Sequence, residues 1–217
     1  MAIAFFDVDE TLIAMKSMFA FLRVFLARVE DPTHASYQRI MATIDQRIAM
    51  GATREDINRY YYSLYCGHRQ SEVRRHAQAF FDAMAVPYQT DVVRRLKAHQ
   101  AAGDEVVAVS GAMRDIIYPV MGRLGVDAYL CSEPEVVDDH YTGRLLAQAI
   151  GAGKARLVRQ YCARRGVDAG DCIAYGDHVS DADMLGAVGR GVAVHPQEAM
   201  RRLARERHWE VMSAPAG

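Results

Sequence analysis

The chain opens with an unbroken apolar run, Ala2 to Phe6, that stops on a carboxylate at Asp7. A short continuous run of this kind fits a strand buried on both faces. The period then changes. Met18, Phe19, Leu22, Phe25, Leu26 and Val29 recur at helical spacing, and Asp31-Pro32 ends that element. A second helix over 33–50 stops at Gly51. Thr53 with Asp56 three positions on has the form of a capping box, opening a third helix that runs to about Cys66, with Gly67 beyond it. Ser71 is expected to cap a fourth, which ends before Pro87. No strand pattern appears between Ala14 and Val86.

Beyond that point strand and helix patterns alternate to about Glu206. Glu105 to Val109 is apolar, and a helical pattern begins at Ser110-Gly111-Ala112-Met113. A helix over Lys154 to Arg164 follows, then a strand, Cys172 to Tyr175, and a helix carrying Met184 and Leu185. Residues 135–150 read as a short polar hairpin whose acidic run is a solvated loop. The alternation predicts an α/β fold: a Rossmann-like parallel sheet core made of residues 1–12 and 87–217, with an all-helical cap inserted over 13–86. The Met18–Val29 stripe is expected to be helix–helix core inside that insert. Arg201, Arg202, Arg205 and Arg207 are expected on the exposed face of a closing helix, with Leu203 inward.

Composition narrows the class. Of 217 residues, 51% are hydrophobic and 24% charged, and the formal net charge is −1. Those values suit a globular enzyme and argue against nucleic acid as the main partner. Arg23 and Arg28 interrupt the longest apolar helix, so no membrane association is expected. Cys66, Cys131, Cys162 and Cys172 show no paired spacing and are read as reduced, mostly buried thiols. With no basic segment and apolar signal region ahead of the first strand, a cytoplasmic location is expected.

The chemistry lies where the strands end. Asp7 and Asp9 stand i, i+2 after the first strand, with Thr11 two residues later. Two carboxylates brought together out of water need a compensating charge, and a hard divalent cation prefers carboxylate oxygens. Ser110 and Gly111 follow the second strand, where a hydroxyl and free backbone N–H groups can take an anion. Lys154 opens a helix after Gly151-Ala152-Gly153. Gly176-Asp177-His178-Val179-Ser180-Asp181 follows the third strand. Each has a plain reading: turn residues at Asp7–Thr11, a helix cap at Ser110 or Asp181, a solvated lysine at Lys154. Four such accidents in this order, at strand ends where parallel sheets bind ligands, are improbable together.

At these residues the chain resembles the haloacid dehalogenase superfamily, in its branch of phosphoserine phosphatase-like enzymes with a helical cap. The first motif matches at Asp7-Val8-Asp9-Glu10-Thr11, the second at Ser110, the third at Lys154, the fourth at Gly176-Asp177 with Asp181. The resemblance implies a Mg²⁺-dependent phosphatase of a small phosphorylated metabolite. By it, Asp7 is the nucleophile and Asp9 the general acid–base. Mg²⁺ sits between Asp7, the backbone carbonyl of Asp9, and Asp177. Ser110, Lys154 and N–H groups near Gly111 hold the phosphoryl oxygens, with Thr11 and Asp181 supporting from behind. His178, often serine in that branch, is expected to make a supporting hydrogen bond.

Three alternatives stay open to different degrees at this stage. A dehalogenase dispenses with the second aspartate, which is present here as Asp9. A non-catalytic binding protein of the same fold is expected to have lost an acid or the lysine, and none is lost. A phosphotransferase to an acceptor other than water stands beside the hydrolase. On substrate, phosphoserine phosphatases carry a glutamate nine residues after the nucleophile, whereas that count reaches Lys16 here. Phosphoserine is therefore not expected as the substrate. Residues 13–86 also hold ten Lys/Arg against seven Asp/Glu, a mild preference for anions. Oligomeric state is not legible.

Overall fold

The computed structural model describes residues 2–214; Met1 and the last three residues of the expected core lie outside them. In chain order the elements are β1 (Ile3–Asp7), α1 (Ser17–Val29), α2 (Ala35–Ala49), α3 (Arg54–Ser63), α4 (Gln70–Asp82) and α5 (Thr90–Ala102). There follow β2 (Glu105–Ser110), α6 (Arg114–Leu124), β3 (Ala128–Cys131), β4 (Glu133–Val137), β5 (His140–Ala147) and α7 (Ala152–Arg165). The chain closes with β6 (Ile173–Gly176), α8 (Ala182–Leu185), β7 (Arg190–Val194), α9 (Glu198–Glu206) and β8 (Glu210–Met212).

The fold is α/β, with a six-stranded sheet in the order β3-β2-β1-β6-β7-β8 and every pairing parallel. β1, β2 and β6 are buried throughout, which is why they read as continuous apolar runs. Successive residues serve opposite faces. Ala4, Phe6, Val106 and Ala108 join one core with residues of α1, α3, α4, α5 and α6; Ile3, Phe5, Val107 and Val109 join the other with residues of α7, α8 and α9. Connections run to the β2–β3 side of β1 and then reverse to β6, so β1 and β6 flank the switch point, where a crevice opens beyond the strand ends.

Helices α1–α4 form between β1 and α5, and the chain leaves and returns side by side. Ala14 N–H donates to Pro87 O at 2.8 Å and Gln89 N–H to Leu12 O at 2.9 Å. Phe21, Leu22, Phe25 and Leu26 of α1 are buried as the stripe predicts. The capping box at Thr53 and Asp56 is present in both directions.

Several details differ from the sequence reading. Ser71 is not a cap: it lies inside α4, and both its N–H and Oγ–H donate to the Asp139 carboxylate, at 3.0 and 2.6 Å. Asp139 thus satisfies the open N-terminus of α4 from a distant segment, where negative charge is favourable. The hairpin expected over 135–150 forms as β4–β5, but its acidic run is more than a solvated loop, since Asp139 caps α4. Gly67 N–H donates to Tyr141 O at 2.8 Å, and Tyr141 is buried with its hydroxyl donating to Asp115 at 2.7 Å. β8 was not foreseen, because three residues after a polar helix carry too little pattern. On α9 the inward residues are Met200 and Ala204, with Leu203 only half-buried. Of the thiols, Cys162 and Cys172 are buried and Cys66 is exposed.

Candidate active site

Asp7 is the last residue of β1, and extended geometry points it opposite to Phe6, away from the core of α5 and α6. It is buried, 6% exposed. Lys154, in the first turn of α7, is buried beside it and donates to Asp7 Oδ1 and, at 2.7 Å, to Asp181 Oδ1. Asp177 follows β6 and accepts from the Thr11 hydroxyl at 2.9 Å. Asp181 ends a short 3₁₀ turn and accepts from His178 N–H at 3.2 Å. Carboxylate oxygens of Asp7, Asp177 and Asp181 all lie within 4.8 Å of one another. That closeness needs glycine at 176, where a Cβ would sit 2.7 Å from the Asp181 Cβ.

The cluster is short of positive charge. Burial raises the Asp7 pKa well above the carboxylate range, with Lys154 opposing and Asp181 and Asp177 reinforcing. Burial and then the Asp181 charge push Asp177 up to about 6. Burial works against the Lys154 ammonium, but Asp181 and Asp7 outweigh it and hold its pKa above the lysine range. One ammonium among three carboxylates leaves an uncompensated negative site lined with oxygen donors. Such a donor set fits a small divalent cation such as Mg²⁺.

Asp9 stands two residues on, half-buried, and burial lifts its pKa to about 6 while the N-terminus of α1 at Ser17 and Met18 pulls it back. Its Oδ1 is buried without a hydrogen-bond partner, as is Ser17 Oγ. Ser17 and Met18 at the start of α1 are the groups that face the Asp9 carboxylate.

Ser110 closes β2, and its Oγ accepts from Ala112 N–H at 3.0 Å. The helix that follows starts at Arg114, not at Ser110, so Ser110 to Met113 form a connecting turn. α3 fixes that turn: Asn58 Nδ2 and Tyr62 OH both donate to Gly111 O, at 3.1 and 2.9 Å. Asn58 is buried and also accepts from Gln148 Nε2 at 3.1 Å. Neither residue was found in the sequence, where a lone Asn and Tyr on a helix carry no motif.

His178 is a turn cap. Its Nδ1 accepts from Ser180 N–H at 3.1 Å and from the Arg54 guanidinium at 2.9 Å, joining α3 to the Asp177 loop. Burial and then Arg54 lower its pKa, so it stays neutral. Lys16 precedes α1 and pairs with Glu10 at 3.6 Å, with both side chains exposed at the mouth of the site. The recess enclosed by Asp7, Asp9, Ser110, Lys154, Asp177 and Asp181 is about 90 Å³.

The sequence profile of the haloacid dehalogenase-like hydrolases matches residues 4–186. The chain belongs to this family. As a haloacid dehalogenase-like hydrolase it is similar, at 29% identity over 97% of its length and 74% of the relative, to a probable phosphatase of Mycobacterium tuberculosis. It is 31% identical, over 97% of its length and 70% of the relative, to that organism's phosphoserine phosphatase SerB1. A solved structure from Bordetella pertussis, described as a protein with unknown function, superposes with a TM-score of 0.87 at 28% identity, covering 99% of each chain. Within this hydrolase family the chain is a phosphatase. Among the described residues no helix is long and apolar enough to cross a membrane.

Proposed function

We propose that this phosphatase hydrolyses a small phosphate monoester through a phosphorylated Asp7, with Mg²⁺ as cofactor. The carrying observation is the carboxylate of Asp7, buried at the end of β1 against Lys154 and within 4.8 Å of Asp177 and Asp181. An Asp7 oxygen attacks phosphorus and the bond to the leaving oxygen breaks; Asp9 gives that oxygen its proton. Water then attacks phosphorus, Asp9 takes the proton back, and the Asp7–phosphorus bond breaks to release phosphate. An Asp9 pKa near 6 suits both halves of that cycle. Lys154, Ser110 Oγ and the Gly111 N–H meet the equatorial oxygens, where transition-state charge collects.

Asp7, Asp177 and the Asp9 backbone carbonyl would hold Mg²⁺, with Asp181 orienting Lys154. When bound, the ion offsets the carboxylate charge and stabilises charge on the phosphoryl oxygens. Residues 13–86 act as the cap over the crevice, contributing Lys16, Met18, Phe19 and Arg54 to its walls. Lys16 at the mouth disfavours the ammonium of phosphoserine, the substrate in the name of the 31% identical relative.

The test is Asp7→Asn, nearly isosteric but unable to accept phosphoryl. It should abolish turnover of a phosphate-ester panel, and acid quench should trap labelled phosphate on the parent alone. Substantial turnover by the variant would overturn the mechanism.

A further inference from the structure

The recess around Asp7 is small, about 90 Å³, so a substrate's organic part extends from it into the neighbouring surface. Two clefts begin at its mouth. One, on the Asp177 side, is polar and is lined by His178, His195, Gln89 and Gln197. The other, about 500 Å³, runs between α1, α2 and α3, and its wall is apolar: Met18, Phe19, Met41, Ile44, Ile48 and Ile57. The polar cleft is of similar size, about 450 Å³, so both lie within the range of small-molecule sites and size does not choose between them. The apolar cleft is continuous with the recess, sharing Lys16, Met18, Phe19, Arg54 and Ile150.

Asp9 decides between the two. The leaving oxygen must lie beside the group that protonates it, and Asp9 sits against Ser17 and Met18 at the start of α1. Asp9 and Met18 both line the recess, and Met18 also lines the apolar cleft, whereas neither lines the polar one. The far wall, on α2, is also bare in part: Ile44 is buried, but Ile48, large and apolar, is 55% exposed. Solvent-facing apolar residues that continue a wall leading from a reactive centre form a ligand surface.

We infer that this enzyme takes phosphate monoesters whose alcohol carries an apolar chain, seated between α1, α2 and α3 with Lys16 and Arg54 at the phosphate end. The inference rests on the phosphatase reading above. Lys16 and Arg54 at the neck tolerate an anionic or hydroxylated link near the phosphate, and the wall beyond them favours hydrocarbon. Asp45 is the one acid on that wall.

The experiment is a chain-length series, ethyl, butyl, hexyl and octyl phosphate, assayed as monomers with Mg²⁺ present. A fully buried methylene is worth about fourfold. Because the cleft is open along one side, six further methylenes should raise kcat/KM by about 50-fold from ethyl to octyl. The gain should appear mainly in KM, since the chain binds alike before and during reaction. Ile48→Asp, on an exposed position where folding is not at stake, should flatten the series to within about threefold. A flat series in the parent, with ethyl phosphate hydrolysed normally, overturns the apolar-chain inference and leaves the phosphatase reading standing. Hydrolysis of none of the four, with phosphoserine and sugar phosphates also inert, overturns both.

Discussion

Replacing Lys154 by Met removes the one ammonium in contact with Asp7 and Asp181 while nearly preserving the shape of the side chain. Lys154 is 4% exposed, and its partners are 6% and 2% exposed, so water cannot take over. Breaking a buried ion pair from one side costs about 3–5 kcal/mol, because the remaining carboxylates are left uncompensated. The cost depends on pH, and its sign follows from the direction of the shift. The Asp7 pKa is already raised by burial, and losing Lys154 raises it further. A raised carboxylate pKa favours the folded state at low pH, where the group is protonated in it, and the advantage is lost as pH rises through the folded value. The metal-free variant should therefore lag the parent by about 3–5 kcal/mol at pH 8 and by clearly less at pH 5. Urea denaturation in the presence of a chelator reads this directly: with a slope of about 2 kcal/mol/M, the midpoint falls by about 2 M at pH 8. A deficit below about 1 kcal/mol at pH 8, or one equal at both pH values, would refute the claim that Lys154 offsets the charge of the carboxylates it contacts.

Metal should act with the same polarity: a chelator should abolish turnover and Mg²⁺ restore it, and Mg²⁺ should raise Tm more at pH 8 than at pH 5, since Asp177 at about 6 must lose its proton to bind. An equal Tm rise at both pH values would count against Asp177 as a ligand. Asp139→Ala removes the remote cap of α4 and should cost about 1 kcal/mol by urea denaturation, with kcat/KM within about twofold of the parent. Lys16→Glu should improve phosphoserine relative to an uncharged ester by about two- to fivefold in kcat/KM, a small factor because Lys16 is exposed and already paired with Glu10.

The sequence carried the parts of this protein in which one residue does one thing. Apolar runs buried on both faces make β1, β2 and β6 readable, and Thr53 with Asp56 announces a helix start because both halves of the motif are local. Asp7, Lys154, Asp177 and Asp181 could be recognised together because each sits at a strand end or helix start, and the structure brings Lys154 against Asp7 and Asp181 with the three carboxylates within 4.8 Å of one another. What escaped depends on partners far along the chain. Ser71 looks like a cap, and only the position of Asp139, 68 residues on, shows that it is the capped residue. Asn58 and Tyr62 act on Gly111 through a carbonyl that every residue possesses. The apolar cleft is invisible for the same reason: Met18, Met41, Ile44 and Ile57 have the spacing of core residues, and nothing local says that the space between their helices is open.

Gly111 O receives both of its hydrogen bonds from α3, an element outside the sheet that supplies the acids. The Gly111–Ala112 peptide, whose N–H donates to Ser110 Oγ, is thus held from its carbonyl side by α3. A chimera that kept every acid and Lys154 but exchanged the insert for another would retain the charges and lose this hold, unless the newcomer brought two donors to the same carbonyl. The loop beyond β2 and α3 are in that sense coupled, and a change at Asn58 or Tyr62 is felt at the Gly111 carbonyl.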